Sequence, residues 1–193
     1  MKTEAREARE TRLIIVLGYN GTGKTTLVKE LLAAELRKPA GRGLIVTPDD
    51  IEWRTLPDVH HKHKHHIATY KGARRLIYQD GVLELIVEHY RNGLLVLDDC
   101  RAYLTASTGM DLHNLIIRRR QKMIDIVAVG HGFTEVPPKL FTFASDIVLF
   151  RTKDNISKRK EVLKDFDLML KAQEHVNARA LENPHYYEII PQV

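Results

Sequence analysis

Short apolar runs alternate along the chain with longer segments in which apolar residues recur at helical spacing. Leu13 to Leu17 is the first run, and the segment from Leu27 to Leu36 that follows keeps a helical period until Pro39 breaks it. Short, continuous apolar runs are typical of strands that are buried on both faces of a parallel sheet. The later runs with this character are Leu44 to Thr47, Leu94 to Asp98, Ile124 to Val129 and Ile147 to Phe150.

The segments between these runs predict helices and two weaker strands. Asp80 is placed to cap a helix that ends at Asn92 and Gly93, and Asp111 is placed to cap a helix that precedes Ile124. A third, charged helical segment is predicted from Ser157 to Leu181, with one apolar stripe formed by Val162, Phe166, Met169 and Leu170. The remaining predictions are an edge strand at Arg74 to Tyr78, a short last strand at Tyr186 to Ile190, and a long polar excursion that ends near Gly72.

Alternating strands and helices predict an α/β fold with a mostly parallel sheet that is covered by helices on both faces. With 193 residues and 44% hydrophobic content, the chain fits one such domain. We expect a charged arm at residues 1–12, the sheet-forming core at 13–151 and a helical extension of the same domain at 152–193. Ligands of these sheets bind beyond the carboxyl ends of the strands, so residues 18–25, 98–101 and 130–132 are the expected site.

The segment from Gly18 to Thr25 has the spacing of a phosphate-binding loop that joins a strand to a helix. Backbone N–H groups of such a loop surround phosphate oxygens, and the helix N-terminus adds partial positive charge. Lys24 is predicted to reach the β- and γ-phosphates, and the hydroxyl of Thr25 to coordinate Mg²⁺. The predicted contacts to a nucleoside triphosphate are Gly18, Asn20, Gly21, Thr22, Gly23, Lys24, Thr25 and Thr26.

A pair of carboxylates, Asp98 and Asp99, ends the apolar run that begins at Leu94. An apolar strand that ends in acidic residues is the Walker B form found beside phosphate loops. Asp98 is predicted to hold Mg²⁺ through its water shell, and Asp99 to orient, or take a proton from, the water that attacks the γ-phosphorus. Without the loop upstream, the same pair would fit a simple turn after a strand equally well.

Two further features are candidates for sensing or stabilising the terminal phosphate. His131 stands between two glycines at the end of a predicted strand, where it fits a γ-phosphate sensor or a surface histidine in a turn. Arg118 to Arg120 end the preceding helix, and three adjacent residues cannot share one helix face. We predict that Arg119 acts as an arginine finger toward a neighbouring subunit, with a solvated helix end as the alternative and Arg101 as a further candidate.

Other conspicuous features predict less chemistry. In His60 to His66, interleaved lysines repel a metal ion, so a solvated loop is expected. The single cysteine, Cys100, excludes an internal disulfide and is expected to be buried. No apolar run approaches the length of a membrane span and no signal peptide is evident, so we expect an intracellular chain. The net charge of +5 is compatible with a polyanionic partner such as nucleic acid, and also with an ordinary solvated surface.

Three segments together resemble the FtsK/HerA superfamily of P-loop ATPases: the phosphate loop, the run ending in Asp98 to Arg101, and the run ending in Gly130 and His131. Within this superfamily, the chain looks like the genome-packaging ATPases of membrane-containing viruses and the ATPase portion of zonula occludens toxin-like phage proteins. The resemblance implies a RecA-like core with an extra strand between the phosphate-loop strand and the Asp98 strand. It also implies ATP and Mg²⁺ as cofactors and a hexameric ring that translocates DNA in the cytoplasm or the virion. Asp99 stands where the family usually has glutamate, and His131 where it commonly has glutamine.

Three functional hypotheses follow from these residues. The first is an oligomeric, DNA-translocating ATPase that serves the packaging or transfer of a viral or plasmid genome. The second is a small-molecule or nucleotide kinase, in which Arg118 to Arg120 belong to a lid and Arg101 binds the acceptor phosphate. The third is a nucleotide-dependent switch that hydrolyses weakly, suggested by the short side chain of Asp99. A GTPase is disfavoured because the chain has no Asn-Lys-x-Asp guanine signature.

Overall fold

Strands and helices alternate along the chain in the computed structural model, which describes residues 10–49, 51–60, 64–105 and 108–192. The strands are β1 (Leu13–Leu17), β2 (Arg42–Thr47), β3 (Gly72–Ile77), β4 (Gly93–Leu97), β5 (Ile124–Gly130), β6 (Asp146–Phe150) and β7 (Tyr187–Pro191). The helices are α1 (Lys24–Leu36), α2 (Lys64–Ala68), α3 (Val82–His89), α4 (Gly109–Lys122), α5 (Pro138–Phe143) and α6 (Phe166–Arg179). The predicted alternation of strands and helices is therefore confirmed.

The strands form one sheet of seven in the order β3-β2-β4-β5-β1-β6-β7. Each pairing is parallel except that of β7, which runs antiparallel to β6. The order confirms the predicted edge position of β3, and it places β5 between the phosphate-loop strand β1 and the Asp98 strand β4. The predicted fold, a RecA-like P-loop NTPase with a mostly parallel sheet, is confirmed.

The register of the central strands brings their carboxyl ends to one level. Leu17, the last residue of β1, lies opposite Gly130, the last residue of β5. Leu97, which ends β4, lies opposite Ala128 of β5. The segments that follow these strands therefore leave the sheet side by side, and they carry the phosphate loop, the Asp98 pair and His131.

Alternate side chains along each strand point to opposite faces and build two apolar layers. Val16, Ile45, Val96 and Val127 pack with α1 and with Trp53 on one face. On the other face Ile15, Val46, Leu97 and Ala128 pack with residues of α2 to α6. Helices on both faces were predicted, and the two layers explain why the central strands are apolar along their whole length. No helix in the described ranges is both long and apolar enough to span a bilayer.

Several predicted boundaries are corrected by the structure. Helix α3 begins after Gly81 rather than Asp80, because Gly81 takes a left-handed φ of 83° at the N-cap and no side chain caps the helix. It ends at His89, and Gly93 already belongs to β4. Helix α4 begins after Thr108, so Asp111 lies within its first turn instead of capping it. The predicted helices are therefore present, but their N-caps are Gly81 and Thr108, and neither helix is capped by a side chain.

The charged helix predicted from Ser157 to Leu181 is shorter than expected. A single turn occupies Ile156–Arg159, and α6 begins only after Asp165, whose carboxylate accepts the backbone N–H of Leu168 at 2.8 Å. Met169 of the predicted stripe is buried, whereas Leu170 is 36% exposed. The short helices α2 and α5 were not predicted, because neither is long enough to show a periodic pattern.

Some sequence predictions fall on residues outside the described ranges. Of the predicted arm at residues 1–12, only 10–12 are described, and there Arg12 Nη2 donates to Asp146 Oδ1 at 2.8 Å. Within the histidine-rich segment, residues 61–63 are outside the described part of the chain. The C-terminal residues 152–192 contribute α6 and β7, and β7 joins the same sheet as the core strands.

Candidate functional site

The phosphate loop leaves β1 and turns directly into α1. The backbone N–H of Gly18 donates to the carbonyl of Gly130 at 3.3 Å, which ties the start of the loop to the end of β5. A Cβ on Gly18 would lie 2.5 Å from the Cβ of Phe150, so only glycine fits there. Gly23 is the N-cap of α1 and has a φ of 104°, in the region that favours glycine. Both ends of the loop therefore require glycine, because a side chain on Gly18 would collide with Phe150 and Gly23 has a left-handed backbone conformation.

Lys24 is folded back onto its own loop. Its Nζ donates to the carbonyl of Tyr19 at 2.9 Å, and the hydroxyl of Thr22 donates to the same carbonyl at 2.8 Å. The residue is only 8% exposed. Burial lowers the pKa of Lys24, although the carboxylates of Asp98 and Glu52 act in the opposite direction. A buried ammonium with one neutral acceptor has donors left for an anionic ligand.

Asp98 lies at the end of β4 against a tryptophan from a distant loop. The indole Nε1 of Trp53 donates to Asp98 Oδ2 at 2.6 Å. Burial raises the pKa of Asp98, the Trp53 hydrogen bond opposes that rise, and the neighbouring carboxylates Glu52 and Asp99 add to it. Asp99 follows with a left-handed φ of 41°. A cation bound here would relieve the crowding of negative charge.

Asp99 and His131, which were both predicted to lie near the terminal phosphate, are brought together by the ends of β4 and β5. His131 Nε2 lies 3.7 Å from Asp99 Oδ1, and both side chains are partly exposed. The backbone N–H of His131 donates to Glu135 Oε2 at 3.2 Å, and Arg101 Nη1 donates to Glu135 Oε1 at 2.5 Å. Glu135 therefore braces the turn that carries His131 and links it to the segment after Asp99.

A cleft of about 600 Å³ opens where these segments meet. Most of the predicted site residues line it: Asn20, Gly21, Gly23, Lys24, Thr25, Thr26, Asp98, Asp99 and His131. Gly18 and Thr22 also belong to the phosphate loop, but neither lines the cleft. The structure thus gathers three segments that are far apart in sequence around one space of the size expected for a small-molecule ligand.

Arg119 does not line this cleft. It lies near the C-terminal end of α4, is 7% exposed, and its Nη1 donates to the Ile116 carbonyl at 2.8 Å within the same helix. The end of α4 meets the start of β4, because Asn92 N donates to the Lys122 carbonyl at 2.9 Å. Arg119 is therefore at the amino edge of the sheet, opposite the cleft, and any role toward a neighbouring subunit stays a prediction.

Three residues of the cleft region were missed in the sequence. Glu52 lines the cleft, and its Oε1 accepts the hydroxyl hydrogen of Thr25 at 2.5 Å. Trp53 holds Asp98 from behind. His185, in the segment before β7, also lines the cleft, and its Nδ1 lies 3.3 Å from the position of a Cβ on Gly23. No local motif marks any of them; the one signal was that Trp53 is the only tryptophan of the chain.

The residues at the cleft fit the binding of Mg²⁺ with a phosphate ligand. Magnesium prefers oxygen donors and usually keeps several waters while it is held by one or two protein groups and by phosphates. The Thr25 hydroxyl and the Asp98 carboxylate supply such oxygens, and both line the cleft. In the described part of the chain, no three histidine, cysteine or acidic residues lie close enough together to form a metal cluster.

The sheet order and the phosphate loop together define the P-loop NTPase fold. The structure is similar to the genome-packaging NTPase B204 of Sulfolobus turreted icosahedral virus 2 in complex with AMP, with a TM-score of 0.69, 14% identity, and coverage of 94% of this chain and 92% of that one. The DNA-packaging ATPase B204 of Sulfolobus turreted icosahedral virus gives a TM-score of 0.67 at 13% identity, covering 94% and 98% of the two chains.

A third similar structure is the N-terminal domain of zonular occludens toxin from Neisseria meningitidis. It has a TM-score of 0.50 at 15% identity and covers 75% of this chain and 79% of that one. No protein-family model matches the sequence, and no curated protein matches it. At these identities the similarities establish the fold alone.

Proposed function

We propose that this chain hydrolyses ATP in order to move DNA during the packaging or transfer of a genome, as one subunit of a hexameric ring in the cytoplasm or the virion. The observation that carries the proposal is the cleft in which Lys24, Thr25 and Asp98 face one another at the carboxyl edge of the sheet. The similarity of the whole fold to a viral genome-packaging NTPase supports the DNA-directed part.

Each residue of the cleft has a separate role in the proposed reaction. Lys24 neutralises the β- and γ-phosphates, while Thr25 and Asp98 hold Mg²⁺, which when bound withdraws charge from the phosphate oxygens. Asp99 orients the attacking water and accepts its proton as the water oxygen bonds to the γ-phosphorus and the bond to the ADP oxygen breaks. His131, 3.7 Å from Asp99, reports whether the γ-phosphate is present.

A second cation from a neighbouring subunit completes the proposed site. No arginine is among the described residues that line the cleft, and an arginine near the γ-phosphate stabilises the charge of the transition state. Arg119 was the residue predicted for this role, but its side chain is buried at the opposite edge of the sheet. Arg101 lies two residues after Asp99. Its side chain pairs with Glu135 but is 66% exposed, which makes it the better-placed candidate.

The test is ATP hydrolysis by the purified protein at increasing concentrations, with and without DNA, together with its mass in solution. We expect the specific activity to rise with protein concentration and with DNA, and Lys24→Ala to abolish it. An Arg101→Ala subunit mixed with a Lys24→Ala subunit should recover part of the activity that each lacks alone.

Other outcomes favour the competing functions. ADP production that depends on a small acceptor and ignores DNA would identify a kinase. Nucleotide binding with negligible turnover in every oligomeric state would identify a switch. Full-rate hydrolysis by a monomer would rule out the ring.

A further inference from the structure

The loop that follows β2 crosses the carboxyl edge of the sheet and reaches the phosphate loop. Glu52 Oε1 accepts the hydroxyl hydrogen of Thr25 at 2.5 Å, and the next residue, Trp53, donates its indole N–H to Asp98 Oδ2 at 2.6 Å. Consecutive residues of one loop therefore contact both predicted magnesium ligands. Neither contact belongs to the phosphate loop or to the strand that carries Asp98.

The Thr25 contact leaves the hydroxyl oxygen ready for a cation. A threonine hydroxyl has one hydrogen to donate and two lone pairs to offer. Because the hydrogen is given to Glu52, the lone pairs of Thr25 are directed away from that carboxylate. Without an acceptor, the hydroxyl would be free to rotate and would have to be oriented when a metal ion binds.

Trp53 fixes the position of the loop that carries Glu52. The tryptophan is 2% exposed and packs in the apolar layer with Val28 of α1 and Val96 of β4. Farther along, Asp58 pairs with Arg75 of β3, and the Val59 N–H donates to the Arg75 carbonyl at 2.8 Å. Glu52 is thus an exposed side chain on an anchored backbone, a suitable arrangement for a group that must hold a fixed distance from Thr25.

We propose that Glu52 is a positioning residue for the magnesium site, which orients the Thr25 hydroxyl toward Mg²⁺ and adds negative charge behind it. The proposal rests on the proposed nucleotide binding at the phosphate loop. Groups that orient metal ligands in this way are worth roughly 10- to 100-fold in metal affinity. Because Glu52 acts through Thr25, its loss should reduce the contribution of the metal and spare the metal-free complex.

The test measures how much Mg²⁺ strengthens the binding of a non-hydrolysable ATP analogue. Affinity is determined in Mg²⁺ and in EDTA, by calorimetry and by the emission of Trp53, the one tryptophan of the chain. We expect Glu52→Ala to reduce the gain from Mg²⁺ by about tenfold or more, and Glu52→Gln by less because its amide oxygen can still accept from Thr25. Affinity in EDTA should not change.

The matched control is Asp49→Asn, which removes a carboxylate charge from the same loop. Asp49 is exposed, does not line the cleft, and accepts the N–H of Ile51, a contact that asparagine can keep. It should keep the full gain from Mg²⁺. Equal losses in Asp49→Asn and Glu52→Ala would mean that only the net charge of the loop matters, and would overturn the proposal.

A double-mutant cycle tests whether Glu52 acts through Thr25. In a Thr25→Ala background, Glu52→Ala should have almost no further effect on the gain from Mg²⁺, because the group that it positions is gone. Independent, additive losses would overturn the positioning role. If wild-type protein bound no nucleotide even in Mg²⁺, the proposed function itself would fail, whereas normal wild-type binding with an unchanged Glu52→Ala variant would refute this inference alone.

Discussion

Two buried cations, at opposite ends of the sheet, are stabilised in contrasting ways. Lys24 lies at the carboxyl edge and Arg42 at the amino edge, where they are 8% and 7% exposed. Lys24 donates to a single carbonyl, that of Tyr19. Arg42 donates to the carbonyls of Ile67 and Ala68, and its guanidinium lies 4.7 Å and 4.6 Å from the ring centres of Tyr70 and Tyr90.

This difference in partners indicates that the carboxyl edge of the sheet is arranged for binding a ligand and the amino edge for stability. At the amino edge, fixed protein groups surround the charge, so the cation contributes to folding. At the carboxyl edge, burial lowers the pKa of Lys24 and raises that of Asp98, which means that the folded protein disfavours both charged forms. A site of this kind gains its full set of partners only when a ligand of opposite charge binds, at some cost to the stability of the free protein.

Lys24→Met should produce the largest effect and should affect binding alone. Removing one partner of a buried charged contact costs about 2–5 kcal/mol, so ATP affinity should fall by roughly 30-fold or more. The free energy of unfolding of the nucleotide-free protein should not fall. The pKa of Lys24 is lowered by burial, so at pH values below that pKa the charged lysine destabilises the folded state. Calorimetric titration and thermal melts measure the two quantities. If Lys24→Met bound ATP normally but unfolded at a lower temperature than the wild type, the proposed distinction between a binding edge and a structural edge would be wrong.

Arg42→Met should have the reverse effect. Its two carbonyl contacts and two aromatic contacts lie in a buried region, so we expect a loss of about 2–3 kcal/mol in the free energy of unfolding. ATP affinity of the folded variant should equal that of the wild type. Chemical denaturation measures the loss, and Arg91→Met, an exposed arginine near the same edge, is the control that should leave stability unchanged.

Trp53→Phe should affect both properties to an intermediate degree. The substitution keeps an aromatic ring in the apolar layer but removes the N–H that bonds Asp98. We expect stability to fall by about 1 kcal/mol and the pKa of Asp98 to rise further, since the Trp53 hydrogen bond now lowers it. Denaturant melts measure the loss of stability, and the pH dependence of nucleotide binding in Mg²⁺ follows the pKa of Asp98. If the Mg²⁺ dependence of nucleotide binding were unchanged in Trp53→Phe, Trp53 would have no role in the magnesium site.

The smallest effect concerns pH. The raised pKa of Asp98 means that the folded protein holds this proton more tightly than the unfolded chain, whose value is near 3.8. As pH falls toward the raised pKa of the folded state, Asp98 becomes protonated and its contribution to stability should become more favourable. The gain in nucleotide binding from Mg²⁺ should decline over the same range. Asp98→Asn should lack both trends. Binding and melting curves recorded between neutral and acidic pH would contradict this if the two quantities moved in the same direction.

The sequence by itself determined the central part of the fold and most of the cleft. The phosphate loop could be predicted because its chemistry is carried by neighbouring residues, from Gly18 to Thr26, whose spacing is fixed by one turn of chain. Asp98, Asp99 and His131 could be predicted because parallel strands end at the same edge, so a polar residue after an apolar run must lie near that loop. These inferences need only local patterns and the geometry of a sheet.

Only the tertiary structure decided which distant side chains complete the cleft and which stay away from it. Glu52, Trp53 and His185 reach the site through loops whose path depends on packing across the whole domain, so no local spacing predicts their positions. The same packing buries Arg119 at the amino edge, although its neighbours in sequence are exposed. The period of a helix shows that adjacent residues face different ways, but the layer against which the helix packs selects the one that is buried.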